Sequence, residues 1–496
     1  MADLLLVADF GTQSVRVGLI DQTGILIAEH STSYPTAYPH PGWAEQKPSD
    51  WINGFKRSLG AVIKSVTLQS SDTIVALSIS ATSSTVVPID KNGNAIGDAI
   101  LWMDCRAADQ AEMINATRNP VLEYCGGAVS AEWLIPKILW NKQNHQVMYD
   151  QIYKFIEQLD FLNIYFTGEL FSSQCNATCK ANYVTALGGW KAEFLASIGL
   201  GDFLDKIATE TVSVGAPVGL LKTSLCEEFG LPNHVAVFQG CIDAYAGMIG
   251  LGAVREGIMA TIMGTSFVEL CLSPIESRPS GIWGPYKNAL IDGYYVYEGG
   301  QVAAGSIIKW FKNLIGDIDY DLLSEEAIKS PIGSNGLITL DFFQGNRTPY
   351  KEPRLRGEIK GLTLSHTRGD IYRSLMESVA FGTRNVLETM GKGNVVIDEF
   401  VASGGVTKDT LWLSIIADVC NVPISIVNSS TYAGLMGSAI IAAISCNMYG
   451  SYEEAVSVMI KNDRMVEPDN RQIGAYDRLF AMYLEESEEA MKKLGK

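Results

Sequence analysis

Three short apolar segments separated by turn residues open the chain. The apolar runs at 4–9 and 15–21 predict two strands, and 23–34 offers a third. The turns between them contain glycine, at 11–13 and again at 21–24. The pattern therefore predicts an antiparallel three-stranded meander at the start of the chain.

A helix and a buried strand are predicted next. Residues 48–66 place apolar side chains at helical spacing behind Ser49 and Asp50, which are typical of helix starts. Residues 71–81 are dense in apolar and β-branched side chains, which favours a strand covered on both faces.

The same theme returns in the second half of the chain. Residues 257–273 again indicate a strand, a small polar turn and a strand, so the MGTS turn echoes the earlier FGTQS turn. The other predicted elements of this half are helices at 301–315, 368–392, 408–420 and 434–446, a terminal amphipathic helix, and a strand at 400–405 that runs into a glycine pair. We place a domain boundary near 251–254, which divides the chain into 1–252 and 253–496. No linker composition marks it, so the halves are expected to pack around a cleft.

Composition and charge exclude several classes of protein. The 496 residues are 47% hydrophobic, and the formal net charge is −17. No run of Lys or Arg is present, so we expect no nucleic-acid surface. The first residues contain no basic region before an apolar run, and no apolar stretch reaches membrane-spanning length, so we expect a cytoplasmic protein with no membrane partner.

Nine cysteines are scattered at irregular spacing without any CxxC pair. This pattern is typical of reduced thiols in a cytosol. With only five histidines and no partner cluster around the CxxxC pair at 175–179, a zinc site is not expected.

The two glycine turns have two interpretations. A glycine in a tight turn lets backbone N–H groups approach a phosphate, and Thr and Ser hydroxyls add donors. Asp9, just before the first turn, could hold Mg²⁺ through water. Alternatively, both are ordinary hairpin turns, in which Gly, Thr and Ser are common.

Other phosphate-binding and kinase motifs are absent from the sequence. There is no GxxxxGK[ST], and the D-F-G at 9–11 lies where the DFG of a protein kinase cannot be. Phosphoryl transfer would still need a base for the acceptor hydroxyl. Asp243, between an apolar strand and a Gly/Ala-rich helix start, is the candidate, and a helix cap is its plainer interpretation.

These segments resemble the FGGY carbohydrate kinases, and the resemblance covers nearly the whole chain. The C-terminal signature of that family is also legible, from Gly357 to Glu377. The motifs stand in family order as DFGTQSVRVGLID (9–21), GWAEQKPSDW (42–51), LWMDCRA (101–107), GCIDAYAGMIG (240–250), MGTS (263–266), EGGQVAAG (298–305), GNRTPY (345–350) and SGGVTKDTLWLSIIADV (403–419).

The resemblance implies an α/β fold of two ribonuclease-H-like domains, as in the actin and hexokinase type of ATPase. ATP with Mg²⁺ and a sugar would meet in the cleft between them. Asp243 would be the catalytic base, and Asp9 would lie near Mg²⁺ together with Asp243. A homodimer is allowed by the resemblance.

The remaining nucleotide residues are also implied by the resemblance alone. The first phosphate loop would be Gly11, Thr12, Gln13, Ser14 and Arg16, and the second Gly264, Thr265 and Ser266. Gly404, Gly405, Gln301, Ala304 and Gly305 would lie against the nucleoside.

The sequence departs from the family pattern at three places. Val406, Thr407 and Lys408 follow the glycine pair where a small residue and a Lys/Arg–Ser are usual. Asn346 stands where Glu is typical, and Ala244 replaces the Asn or Gln that often follows the catalytic Asp.

Five side chains are expected at the sugar by resemblance to the ribulokinase group, and Thr82 stands in the neighbouring substrate loop. A polyol needs several hydroxyl partners, which carboxylates, Lys and a Trp face supply. The five are Trp102, Asp104, Lys180, Asp243 and Glu298. Trp102 as core and Lys180 as a surface residue are the plainer alternatives.

The substrate loop SATSSTVV (80–87) lacks the Arg–Glu of glycerol kinases and the Met–His of xylulokinases. We therefore expect a pentulose kinase, with ribulose first and xylulose next. Another ketose or polyol (ribitol, erythritol, glycerol, gluconate), a non-catalytic sugar and ATP sensor, and an actin-like or chaperone-type ATPase are the alternatives.

Overall fold

The computed structural model of the chain describes residues 3–66 and 73–495. The chain groups into two compact units. The first contains the chain up to Val254 with Gly284–Val296 and Tyr432–Lys461, and the second contains Arg255–Trp283, Tyr297–Thr431 and the chain from Asn462 onward. The two units therefore differ from the expected division into 1–252 and 253–496, because two segments after residue 253 belong to the first unit.

Up to residue 254, strands alternate with helices. The strands are β1 (Asp3–Phe10), β2 (Ser14–Asp21), β3 (Leu26–Ser33), β4 (Glu45–Gln46), β5 (Thr73–Ala81), β6 (Val86–Ile89), β7 (Ala99–Ile100), β8 (Lys154–Glu157), β9 (Ser172–Ser173), β10 (Thr211–Val212), β11 (Pro217–Leu220) and β12 (Ala236–Ile242). The α-helices are α1 (Pro48–Ser65), α2 (Ala108–Ala116), α3 (Leu134–Asn144), α4 (Gln146–Gln151), α5 (Gln158–Thr167), α6 (Gln174–Lys180), α7 (Ala192–Ser197), α8 (Thr223–Phe229) and α9 (Asp243–Gly250).

After residue 254 the helices are longer. The strands are β13 (Gly257–Met263), β14 (Phe267–Ser273), β15 (Trp283–Lys287), β16 (Tyr295–Gln301), β17 (Ile338–Leu340), β18 (Glu358–Lys360), β19 (Ile397–Ser403), β20 (Ile424–Val427) and β21 (Asn462–Val466). The α-helices are α10 (Gly305–Leu314), α11 (Tyr320–Lys329), α12 (Arg368–Lys392), α13 (Thr410–Cys420), α14 (Ala433–Ser445), α15 (Tyr452–Met459) and α16 (Ile473–Lys493). Among the described residues, no helix combines the length and the apolar character that a membrane crossing requires.

The amino-terminal meander is confirmed, since β1 pairs antiparallel with β2 and β2 antiparallel with β3. The described part of the strand expected at 71–81 is β5, which pairs parallel with β1, and residues 71–72 lie outside the described residues. The helix expected from residue 301 was wrong at its start. Residues 295–301 continue as strand β16, and α10 begins only at Gly305.

The echo between the two glycine turns reflects a duplicated sheet. The first sheet has the order β11-β12-β5-β1-β2-β3, and the second has the order β15-β16-β14-β13-β19-β20-β21. In each, the two strands joined by the glycine turn are antiparallel, and the next two strands continue parallel to the first. Each unit thus contains the mixed α/β sheet expected of an actin and hexokinase type of fold.

Helices cover both faces of the first sheet. The apolar sides of α1 and α5 join the core of this unit through Trp51, Phe55, Leu159 and Phe166. Helix α14 packs against β1 and β5 and against α9. Strand β5, at the centre of the sheet, is buried at nearly every position, which explains its continuous apolar sequence.

Helices α9 and α14 touch through their backbones. A Cβ on Gly250 would lie 1.9 Å from the carbonyl oxygen of Ala433, and one on Gly437 would lie 1.8 Å from that of Ala246. Only glycine allows so close an approach. Because α9 begins at Asp243, this contact helps to fix the position of the candidate base.

We predict that Gly437→Ala destabilises the first unit by about 1–3 kcal/mol, because the new methyl group forces two helix backbones apart. Gly60→Ala in α1 is the control, since its Cβ would meet only Phe229 at an ordinary 3.6 Å. Alanine there should be neutral or stabilising by up to about 1 kcal/mol. Thermal and urea unfolding of both variants measure the difference, and equal stabilities would contradict the packing argument.

Candidate active site

The two candidate carboxylates lie at one edge of the first sheet. Phe10 of β1 and Ile242 of β12 both pair with Ala81 of β5, and the three strands run parallel. Their carboxyl ends therefore meet at the same edge, where Thr82 and Asp243 are the next residues along the chain. This edge is where α/β sheets carry their ligands.

Asp9 is held from two sides. Its Oδ1 accepts a hydrogen bond from the Ser80 hydroxyl at 2.7 Å. A Cβ on Gly434, in the first turn of α14, would lie 2.6 Å from its Oδ2. Burial raises the pKa of Asp9, while the Ser80 hydrogen bond and the nearby Arg16 lower it. The positive end of the α14 dipole favours the charged carboxylate.

Asp243 is the first residue of α9, and its Oδ1 accepts the Ala244 backbone N–H at 2.7 Å. Both carboxylates affect the pKa values of two neighbouring side chains. Burial raises the pKa of Tyr34 and of Cys241, and the charges of Asp9 and Asp243 raise both pKa values further. The parallel pairing of β1, β5 and β12 brings Asp9 and Asp243 to the same edge of the sheet.

This arrangement fits a magnesium ion held by one or two carboxylates. Mg²⁺ prefers oxygen ligands and usually keeps several waters beside substrate phosphates. Within 3–66 and 73–495, no group of three or more His, Cys, Asp or Glu side chains could cage a metal. Asp9 and Asp243, both partly exposed, suit the open type of site.

The first glycine turn is braced by side chains from three other segments. The Gly11 N–H donates to the Ser14 carbonyl at 3.0 Å, and the Tyr34 hydroxyl donates to the Gly11 carbonyl. Gln46 Nε2 donates to the Thr12 carbonyl at 2.7 Å. These contacts hold the turn in a fixed shape and leave Gln13 exposed.

Trp102 also contacts the first glycine turn. Its indole Nε1 donates to the Thr12 hydroxyl at 2.9 Å. A residue expected at the sugar is thus in contact with a residue expected at phosphate.

Two residues expected in the phosphate loop belong to a strand. Ser14 begins β2, and Arg16 pairs with Asp9 across the ladder between β1 and β2. The Arg16 guanidinium lies 3.7 Å from Glu29 on β3. Arg16 was expected in the loop, but it lies on strand β2 beside Asp9.

The expected role of Asp104 as a sugar ligand is also corrected. Its side chain is fully buried, and it accepts the Ala44 backbone N–H at 2.6 Å and two hydrogen bonds from the Arg106 guanidinium at 2.7 and 2.9 Å. Arg106 also binds Glu45 at 2.7 Å and stacks over Trp43, with its guanidinium carbon 3.8 Å from the ring centre. Asp104 therefore anchors the segment that follows Trp102 and offers no exposed carboxylate to a sugar.

Thr82 and Lys180 have protein partners as well. The buried Thr82 hydroxyl donates to Gln158 Oε1 at 2.6 Å, so its direct contact with sugar is not supported. Lys180, the last residue of α6, is partly exposed, with its ammonium 5.5 Å from the Trp133 ring centre and 5.9 Å from that of Tyr286.

In the second unit, the start of α10 holds the second glycine turn. The N–H groups of Ala304 and Ser306 both donate to the Thr265 carbonyl at 3.1 Å, and that of Gly305 donates to the Gly264 carbonyl at 3.2 Å. A Cβ on Gly305 would lie 2.4 Å from the Gly264 carbonyl oxygen. Gly305 therefore shapes the turn, and Thr265 remains exposed.

The glycine pair after β19 is exposed. Gly404 has φ +97°, and a Cβ there would lie 2.3 Å from the Met263 carbonyl oxygen, so only glycine fits. A Cβ on Gly405 would meet nothing within 4 Å. The pair therefore packs against the end of β13 on one side and leaves open space on the other.

Gln301 was expected beside the nucleoside and is instead buried. Its Nε2 donates to Asp341 at 2.9 Å and to the Val379 carbonyl at 2.8 Å, and its Oε1 accepts from Thr383 at 3.1 Å. All of its polar atoms are thus engaged in the interior, so we correct its role to a structural one.

Glu298 forms an ion pair with a residue of another sequence motif. Arg347 Nη2, from the GNRTPY segment, donates to Glu298 Oε1 at 3.1 Å. The Glu298 side chain is 7% exposed and that of Arg347 is 28% exposed. The pair places the Arg347 guanidinium beside the Glu298 carboxylate in the middle of β16.

Comparisons with known proteins identify the family of this chain. Profiles of the FGGY family of carbohydrate kinases match residues 4–250 with the N-terminal domain and residues 259–446 with the C-terminal domain. The chain belongs to the FGGY family of carbohydrate kinases.

Individual relatives extend over nearly the whole FGGY chain. An FGGY carbohydrate kinase domain-containing protein of Homo sapiens is 30% identical over 96% of this chain and 94% of its own. A ribulokinase of Anoxybacillus flavithermus is 31% identical over 96% and 92%. The crystal structure of a xylulose kinase from Brucella ovis covers 99% of this chain and 100% of its own, with TM-score 0.90 and 25% identity. The chain is a sugar kinase.

Two residues that brace the site of this FGGY kinase were missed by sequence reasoning. Tyr34 lies at the end of the meander, where nothing in the local pattern distinguishes it. Gln46 had a signal: it stands five residues before Trp51 in the GWAEQKPSDW segment, and the indole Nε1 of Trp51 donates to its Oε1 at 2.8 Å.

We predict that Asp104→Asn lowers stability by about 1.5–3 kcal/mol, because the buried Arg106 guanidinium keeps Glu45 but loses the charge-assisted hydrogen bonds that it makes to Asp104. Asp109→Asn, on the exposed side of α2, is the control and should be neutral. Thermal unfolding tests this. A folded Asp104→Asn protein with unchanged melting temperature and lost sugar binding would restore Asp104 as a sugar ligand.

Proposed function

We propose that this FGGY kinase transfers the γ-phosphate of ATP to a hydroxyl of a pentulose, with ribulose the leading substrate and xylulose the next. The observation that carries the proposal is the convergence of Asp9, Asp243 and the turn at 11–14 on one edge of the first sheet. The ribulokinase relative supports the choice of sugar.

Asp243 takes the proton of the attacking hydroxyl in this proposal. The group must reach the hydroxyl and be ionised at working pH. Asp243 is partly exposed and lies at the start of α9, at the positive end of the helix dipole. Mg²⁺, held by Asp9 with Asp243, would neutralise charge on the phosphate oxygens.

Nucleotide binding is assigned to the two glycine turns and the glycine pair. Gly11, Thr12 and Gln13 offer N–H and hydroxyl donors in the first unit, and Gly264, Thr265 and Ser266 offer them in the second. Gly404 and Gly405 present a surface without side chains to the nucleoside.

Sugar binding is assigned to Trp102, Lys180 and Glu298. The Trp face covers C–H groups, Lys donates to hydroxyls and Glu accepts from them. The aromatic rings beside Lys180 and the guanidinium beside Glu298 orient these two side chains. Such a site rejects sugars that leave its polar groups unpaired.

The test is ADP release in a coupled assay with D- and L-ribulose, D- and L-xylulose, ribitol, erythritol, glycerol and gluconate. Product must be confirmed as phosphosugar by mass spectrometry. We expect a pentulose to have the highest kcat/KM. A polyol or gluconate as best substrate would overturn the choice of sugar, and ATP binding without phosphosugar formation from any sugar would point to a sensor.

We predict that Glu298→Gln raises the sugar KM about tenfold or more, because a charge-assisted hydrogen bond to a hydroxyl is lost. The ATP KM should stay within about twofold. Glu325→Gln, on the exposed side of α11, is the matched control. A rise in the ATP KM alone would move Glu298 to the nucleotide.

A further inference from the structure

A buried lysine connects the loop at 82–85 with the segment that carries Trp102. Lys137, on α3, has no exposed surface. Its Nζ donates to the Ser84 carbonyl and to the Leu101 carbonyl, each at 2.7 Å. Ser84 belongs to the loop between β5 and β6, and Leu101 directly precedes Trp102.

Ser84 is in a conformation that it would not keep by itself. Its φ is +62°, in the left-handed region that is strained for a residue other than glycine. Its own hydroxyl makes no hydrogen bond within the described residues. The conformation therefore depends on what holds the backbone from outside.

Both backbone groups of Ser84 are held by buried charged side chains. Lys137 binds its carbonyl, and Glu157 Oε2 accepts its N–H at 2.5 Å. The same Glu157 oxygen accepts from Asn176 Nδ2 at 3.1 Å. Asn176 lies one helical turn before Lys180 on α6, so Glu157 also ties α6 to the loop.

Buried charges are a poor source of stability. Burial lowers the pKa of Lys137 to about 8 and raises that of Glu157 to about 7. An apolar side chain at either place would avoid this cost, so stability alone does not account for the pair.

We propose that Lys137 and Glu157 form a positioning clamp that fixes the loop at 82–85, Trp102 and Lys180 in the geometry that binds sugar. The clamp touches no substrate. It rests on the proposed function, because its effect is expressed through the sugar that the enzyme phosphorylates.

The test compares Lys137→Met with Lys142→Met. Both lysines are on α3, but Lys142 donates outward, to the Gly199 carbonyl and to Asp202. Methionine keeps the aliphatic stem of Lys137 and removes its two hydrogen bonds.

We expect Lys137→Met to raise the sugar KM about tenfold or more (about 1.4 kcal/mol), because the Ser84 and Leu101 carbonyls lose the donor that holds both segments in place. The ATP KM should stay within about twofold. Lys142→Met should match the wild type. In a folded, active Lys137→Met enzyme, an unchanged sugar KM, or an equal rise of both KM values, would overturn the clamp.

Hydrogen exchange separates failure of the clamp from failure of the proposed function, because it needs no sugar. The Ser84 amide and the peptides covering 82–85 and 101–107 should exchange faster in Lys137→Met, with peptides of the second unit unchanged. Unaltered exchange in these peptides would overturn the clamp even if no sugar in the panel is phosphorylated.

Should Lys137→Met fail to fold, the double variant with Ser84→Gly is compared with Ser84→Gly alone. Glycine removes the strain at φ +62° and restores stability. The same rise in sugar KM and the same exchange difference are expected between these two proteins, and their absence would overturn the clamp.

Discussion

The glycine contact between α9 and α14 is the constraint on which the first unit's carboxylates depend. Asp243 begins α9, and the first turn of α14 lies against Asp9 at Gly434. Because Gly250 and Gly437 let the two helices meet backbone to backbone, a shift of α9 would move Asp243, and a shift of α14 would change the contact of Gly434 with Asp9. The parallel pairing of β1, β5 and β12 then sets both acids at one edge of the sheet.

Around these acids, charged and polar side chains are used to fix loops. Arg106 holds Asp104 and Glu45, Lys137 holds two loop carbonyls, and Gln46 holds the first glycine turn. Most of these groups are buried, which weakens their contribution to stability. What they provide is a preformed geometry, and a polar sugar site needs this in order to discriminate between hydroxyl patterns.

Much of the fold could be predicted from the sequence, because alternating and helical apolar patterns report directly on sheets and helices. The meander, β5, α12 and the duplicated glycine turn followed from that periodicity. The roles of Asp104, Thr82 and Gln301 could not be predicted, since a local motif does not show which buried partner a polar side chain will meet. Gln158 and Asp341 come from other segments of the chain, as do Ala44 and Glu45, which complete the cluster of Asp104 with Arg106. Such long-range pairing is invisible in the local pattern. The segments that return to the first unit were hidden for the same reason.

The account depends most on Asp243 acting as base for the sugar hydroxyl. The direct measurement is rapid-quench single turnover of phosphosugar formation by Asp243→Asn, with Asp109→Asn as control and ATP binding checked by calorimetry. The account predicts a loss of about 10²-fold or more for Asp243→Asn with ATP affinity retained. Phosphosugar formation by Asp243→Asn at a rate within about tenfold of the wild type would contradict it.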